Sequence, residues 1–232
     1  MALVIHLKKP AMSFFMDGET HTIRSPLLAG PYSRPFYIDP AESTGVLGVV
    51  FRPGTARMFF PVAAHELHNT DISLRDLQPA GTDRLLNELS SANDDAARFR
   101  AMEAYLNRKL ASAAPMHGAV RYAIDQLSTE ASATSIEKLQ FETGLSHTRF
   151  IQLFKEHVGL TPKLFCRVRR FRMTLNRIEQ GRPVNWAGLA ADCGYFDQAH
   201  LIRDFRAFAD VTPVEYCRTE AGARVLAALA AS

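Results

Sequence analysis

The sequence predicts an α+β chain. A strand-rich N-terminal half, with a helical segment of its own, is followed by an all-α half made of two copies of one helix-turn-helix unit. Three observations carry that prediction. Short apolar runs broken by Pro and Gly fill the N-terminal part. From residue 82 to 112 the apolar side chains fall at helical spacing. A segment beginning at Ser135 then recurs about fifty residues later, the mark of a repeated supersecondary unit.

In chain order, residues 3–7, 20–24, 36–38 and 46–51 read as short strands. Leu85, Leu86 and Leu89, then Phe99, Met102, Leu106 and Leu110, give the helical pattern of 82–112. Residues 111–118 read as a linker, so the expected domains are 1–112, a sensor-like unit, and 113–220, with a tail at 221–232. A lead-in helix is expected over 120–127.

The repeat fixes the rest. Leu139 pairs with Leu189 and Gly144 with Gly194 at a separation of 50; Phe154 pairs with Phe205, Thr161-Pro162 with Thr212-Pro213 and Cys166-Arg167 with Cys217-Arg218 at 51. One residue has therefore been added in the second turn. The two units span about 135–158 and 185–209 and parse alike. A short helix stops at a glycine able to take positive φ, and Ser146 or Asp197 caps the next helix. Its apolar stripe is Phe150, Phe154 and Val158 in one copy and Leu201, Phe205 and Phe208 in the other, each stripe expected to build a core of its own. Thr-Pro then opens a third helix, since proline's missing N–H is harmless at the first helical position.

Composition narrows the function. The 232 residues are 47% hydrophobic and 22% charged, which describes a folded chain able to bury a sizeable core. The apolar run at 46–51 has a strand's length, and the N-terminus lacks the pattern of a signal peptide, so a cytoplasmic, membrane-free protein is expected. Cys166, Cys193 and Cys217 have neither disulfide nor zinc spacing. Residues 1–115 are charge-balanced, and the net +3 lies beyond them. Lys163, Arg167, Arg169, Arg170, Arg172 and Arg177 all precede the first acid of their stretch, Glu179. Such runs usually end as a solvated helix face, and charge alone favours that reading.

The letters of the repeat say more. Gly194-Tyr195-Phe196-Asp197-Gln198-Ala199-His200-Leu201-Ile202-Arg203-Asp204-Phe205, then Val211-Thr212-Pro213-Val214-Glu215-Tyr216, closely resembles the C-terminal signature of the AraC/XylS family of bacterial transcription regulators. Leu139, Gly144-Leu145-Ser146, Phe154-Lys155 and Gly159-Leu160-Thr161-Pro162 resemble that family's first unit, so the resemblance covers about 116–218. It implies a seven-helix DNA-binding domain, a long helix over 163–180 joining the two units, and sequence-specific transcription regulation, activation being the expected sign. Two positions depart from the pattern. Gln140 stands where the second copy has the small Ala190, and Gln152 where it has Arg203.

The joining helix, about 18 residues at about 1.5 Å each, spans about 27 Å, near the roughly 34 Å between successive major-groove openings on one face of B-DNA. Two adjacent grooves are thus within reach of one chain. The side chains off the core stripe are His147, Thr148, Ile151, Gln152 and Lys155 in the first reading helix and Gln198, Ala199, Ile202, Arg203 and Arg206 in the second. Gln and Arg suit adenine and guanine edges, and Thr and Ile a thymine methyl. Lys155, Arg206 and the joining-helix Arg167 and Arg170 are expected on phosphates, while His200 and Cys193 are expected to pack.

In the first half, Gly48-Val49-Val50-Phe51-Arg52-Pro53-Gly54 and Ala63-Ala64-His65-Glu66-Leu67 resemble the N-terminal domain of an AraC-family branch with no assigned ligand. His65-Glu66-Leu67-His68 lacks the i, i+4 spacing of a helical metal site, so no metal, cofactor or enzyme activity is expected. Two alternatives stay open: a cupin-like metal-dependent enzyme domain fused to a DNA-binding domain, and a constitutive DNA-binding protein with no effector. The expected partners are double-stranded DNA and RNA polymerase, with room for a small-molecule effector and for a homodimer formed through the N-terminal half.

Overall fold

A computed structural model describes residues 1–39, 45–129, 135–178 and 184–218. The tail at 221–232 and the last two positions expected of the joining helix lie outside the described residues. The N-terminal half is built on strand alternation. β1 (Ala2–His6) pairs antiparallel with β4 (Leu27–Ala29) on one side and β6 (Val46–Val50) on the other, and β7 (Asp71–Ser73) adds to β4, giving the order β6-β1-β4-β7. A second sheet, β3-β2-β5, consists of β2 (Ala11–Met16), β3 (Glu19–Arg24) and β5 (Tyr37–Ile38).

Successive side chains of a strand face opposite ways, so β1 serves two cores. Leu3 lies opposite Leu28 and Ile5 opposite Leu47, and these four pack on Leu85, Leu89, Met102 and Tyr105. The last four come from α2 (Pro79–Ser90) and α3 (Asp95–Leu110), which follow the short α1 (Leu74–Leu77). Val4, Leu27 and Ala29 face the other way and meet Met12, Phe14, Tyr32 and Phe36. The half is therefore layered as small sheet, larger sheet and helix pair.

The four expected strands are present, with ends shifted by at most two residues, but β2, β4 and β7 were not foreseen. β2 had a readable signal. Asp17-Gly18, both at positive φ (52° and 86°), forms the two-residue turn that joins β2 to β3. β4 and β7 are only three residues each, and neighbouring strands rather than any sequence pattern make them strands.

The C-terminal half holds α4 (Gly118–Thr129), α5 (Ile136–Glu142), α6 (His147–Val158), α7 (Pro162–Ile178), α8 (Trp186–Asp192), α9 (Gln198–Ala209) and α10 (Pro213–Arg218), seven helices among the described residues. The expectation of one core per unit is corrected here, because α7 runs through the middle of a single cluster. Phe165 meets Phe154 of the first unit at 5.6 Å, and Phe171, two turns on, meets Phe205 and Phe208 of the second at 4.9 and 5.3 Å. Apolar side chains left between two separate units would cost more than the one shared interior they form.

The halves also touch. The 3-10 turn Ala64–Leu67 packs along α6, Arg57 pairs with Glu156, and Tyr37 rests on the C-terminal core. Gly159, the residue after α6, sits at φ +86°, and a Cβ there would lie 2.3 Å from Cγ of Pro31. Close approach of the two halves therefore requires glycine at this point.

Candidate nucleic-acid interface

Both reading helices are built as their sequence implies. Ser146 Oγ accepts from the Arg149 amide at 3.3 Å and Asp197 Oδ1 from the His200 amide at 2.6 Å, capping α6 and α9. Ser135 and Asn185 cap α5 and α8 in the same way. Gly144 and Gly194 turn the chain at φ +67° and +76°. After each reading helix the left-handed position falls to Gly159 in the first copy and to its equivalent Asp210, at φ +59°, in the second. In α10 the cap is reciprocal: Thr212 Oγ1 accepts from the Glu215 amide at 3.2 Å, while the Thr212 amide donates to the Glu215 carboxylate at 2.7 Å.

With Leu201, Phe205 and Phe208 buried, α9 leaves Gln198, Ala199, Arg203 and Arg206 exposed and Ile202 half-buried on its outer face. No ion pair among the described residues holds Arg203. On α6, His147, Thr148 and Gln152 are exposed, whereas Ile151 and Lys155 are half-buried. All five line an open cleft of about 360 Å³ whose opposite wall is His65 of the 3-10 turn. The reading face of the first unit thus lies beside the N-terminal half, and that of the second does not share this wall. His68 of the same turn accepts or donates at 2.8 Å to Ser33 Oγ. Burial, then Arg34 and Lys155, hold its imidazole below the usual range.

Arg167 and Arg170 stand apart from the other ten expected contacts. Arg167 Nε and Nη2 donate to Oδ1 of Asp204 at 3.0 and 2.7 Å, with the guanidinium 5.1 Å from the Phe208 ring. Asp204 is buried on the inner face of α9, its carboxylate 2% exposed. Arg170 donates to the Gly194 carbonyl at 3.0 Å and lies 4.9 Å over Tyr195. Arg177 reaches Asp192 of α8 at 2.9 Å. Arg169 caps the other end, donating to the Leu127 and Ser128 carbonyls in the last turn of α4. In this geometry Arg167, Arg169, Arg170 and Arg177 of the basic run are engaged within the protein, while Lys163 is exposed. Arg167, Arg170 and Arg177 clamp the second unit to the joining helix and Arg169 clamps α4 to it, and Arg167 and Arg170 would have to leave these partners to reach DNA.

The two departures from the family pattern also have physical roles. Gln140 Nε2 donates to the Leu145 carbonyl at 2.8 Å, closing the first turn where Ala190 lets the Tyr195 amide approach its own carbonyl at 2.9 Å. Gln152 accepts from Arg149 at 3.3 Å, so a guanidinium stands on the first reading face after all, one turn earlier than in the second copy. Arg149 is not among the contacts expected from the sequence. Phe196, 93% exposed, was also missed. Tyr195 packs in the core as Leu145 does, so Phe196 is the residue added in the second turn, and an aromatic inserted where nothing can bury it was the available signal.

Residues 140–219 match the profile of a helix-turn-helix domain. These residues include the segments that resemble the AraC/XylS signature. Residues 1–73 match a domain of unknown function, DUF6597, in keeping with the expectation of an N-terminal domain without an assigned ligand. Residues 74–139, which contain α1 to α4, lie between the two matched segments. No protein of curated function matches the chain. Among solved structures the chain is similar to ToxT from Vibrio cholerae. An apo point variant gives a TM-score of 0.48 at 11% identity over 94% of this chain and 88% of that one. A further crystal form gives 0.48 at 12% over the same shares, and ToxT bound to an unsaturated fatty acid gives 0.44 at 10% over 93% and 86%. The helix-turn-helix match supports a DNA-binding transcription regulator. Among the described residues no helix is long and apolar enough to cross a membrane.

Proposed function

We propose that the chain reads a bipartite operator, with α6 and α9 in adjacent major grooves of one DNA face, and that residues 1–112 regulate the DNA-binding unit at 113–220. One observation carries the reading: both reading helices belong to a single core threaded by α7, while their outer faces keep His147, Thr148, Gln152, Gln198 and Arg203 exposed. A shared core fixes separation and rotation. α7, 17 residues long, spans about 25 Å at about 1.5 Å per residue, close to the groove repeat. Gln152, Gln198 and Arg203 read base edges, Thr148, Ile151, Ala199 and Ile202 supply apolar contacts, and Lys155 and Arg206 hold phosphates. The regulator works in the cytoplasm, acts as an activator with RNA polymerase as its partner, and answers to a small molecule through the first half. The nearness of His65 to the face of α6 supports that last point, because the turn carrying it must clear the groove before α6 enters.

The test perturbs the DNA and leaves the fold alone. A site selected from random duplex should show two motifs about one helical turn apart. Inserting five base pairs between them places the motifs on opposite faces of the duplex, and binding should fall at least tenfold, to the level of a single motif. A one-motif site, or indifference to the spacer, would overturn the tandem reading.

A further inference from the structure

A cleft among the described residues lies apart from the DNA-reading surface. It has a volume of about 620 Å³, within the usual size of a small-molecule site, and lies between α2, α3, the segment after β6 and the linker. Its floor is aromatic, from Phe59, Phe60 and Tyr105. Its rim is basic, from Arg57, Arg84, Arg108 and Lys109. Among the described residues those four cations share two carboxylates: Glu88 accepts from both Arg84 and Arg108, at 2.9 and 3.0 Å, and Glu156 pairs with Arg57.

Lys109 is the cation those pairs leave out. Its Nζ lies 5.6 Å from the Tyr105 ring centre and 6.0 Å from that of Phe60, so its charge faces two π-clouds in place of an anion. Burial pushes its ammonium below the ordinary range, the expected consequence of a charge drawn in without a counter-ion. Tyr105 is fixed from behind by the Gln78 amide, which donates to its hydroxyl. On the α6 side the wall is His157, whose Nδ1 is buried and makes no hydrogen bond among the described residues. A buried polar atom without a partner is uncommon and calls for one.

We propose that this cleft binds a small organic anion with a flat apolar body, its acid group on Lys109 and its ring system on Phe60 and Tyr105. The proposal rests on the reading of the chain as an effector-controlled regulator and names the site and class of that effector. Position supports it. The cleft is walled by both halves, through linker residues 112–115 and through His157, beside the Arg57–Glu156 pair that holds the first half on α6. An occupant would therefore bear on the contact that places His65 against the first reading face.

The test is calorimetric titration of the full chain without DNA, so failure of the DNA-binding reading would leave its result untouched. The probe is 2-naphthoate, compared with the neutral 2-naphthalenemethanol and with inorganic phosphate. Saturable binding of 2-naphthoate at one site is expected, with both comparison molecules at least tenfold weaker. Lys109→Met, which keeps the stem, should weaken 2-naphthoate at least tenfold, and Lys109→Arg should recover most of the loss. Should Lys109→Met fail to fold, Ala113→Trp fills the cleft from the linker and should abolish binding with every charge in place. Absence of saturable binding, equal binding of the alcohol or of phosphate, or indifference to both substitutions would each overturn the proposal.

Discussion

Replacing Arg167 by Met separates the two roles this residue has been given. In the structure its guanidinium donates two hydrogen bonds to one oxygen of Asp204, whose side chain is 2% exposed, while Oδ2 is buried without a described partner. Removing the cation strands a carboxylate in the core. Breaking a buried pair from one side costs about 3–5 kcal/mol; because the Arg167 side chain is 35% exposed and water can reach its side of the pair, the lower end, about 3 kcal/mol, applies. For a chain of this length that corresponds to a fall in Tm of roughly 6–12 °C. Adding Asp204→Leu to Arg167→Met should restore most of the stability, since an apolar pair of similar volume avoids the stranded charge. The assay is urea denaturation and thermal melting of the three proteins, alongside DNA titrations across salt. A phosphate contact would behave differently: Arg167→Met would leave the melt unchanged and lower the slope of log K against log salt by about one. That result would refute the clamp.

Two further outcomes are expected. Arg203→Ala should cost about 1–3 kcal/mol at the selected site and relax preference at one or two base pairs, measured by competition with single-base variants; a loss equal for all sequences would make Arg203 a phosphate contact. Burial lifts the Asp71 carboxyl from 3.8 to about 6, and its Oδ1 is sealed from solvent. Between those pH values the folded chain keeps a proton that the unfolded chain has lost, so stability falls as pH rises, by up to roughly 3 kcal/mol at about 1.36 kcal/mol per unit. Asp71→Asn should therefore stabilise the protein at about pH 7.5 in urea denaturation and give no gain at about pH 4. Equal gains at both would exclude burial of the charge as the cause.

The C-terminal half was legible because its signals are local. A glycine at positive φ, a Ser or Asp cap, a Thr-Pro start and a Phe stripe each act within a turn or two of helix, so the sequence states them directly, and repetition states them twice. The outer faces of α6 and α9 followed from the same periodicity. In the first half, β1, β3, β5 and β6 could be read from their apolar runs, whereas the three-residue β4 and β7 are defined by the neighbours with which they pair. What only the tertiary structure decided is where long side chains end. Periodicity put Arg167, Arg169, Arg170 and Arg177 on one basic helix, but not the Asp204, Leu127, Gly194 and Asp192 groups that meet them 15 to 42 residues away. A guanidinium on a flexible stem goes to the buried carboxylate or orphan carbonyl within reach, and which group is within reach is fixed only once α4, α7, α8 and α9 have packed around their shared aromatic core.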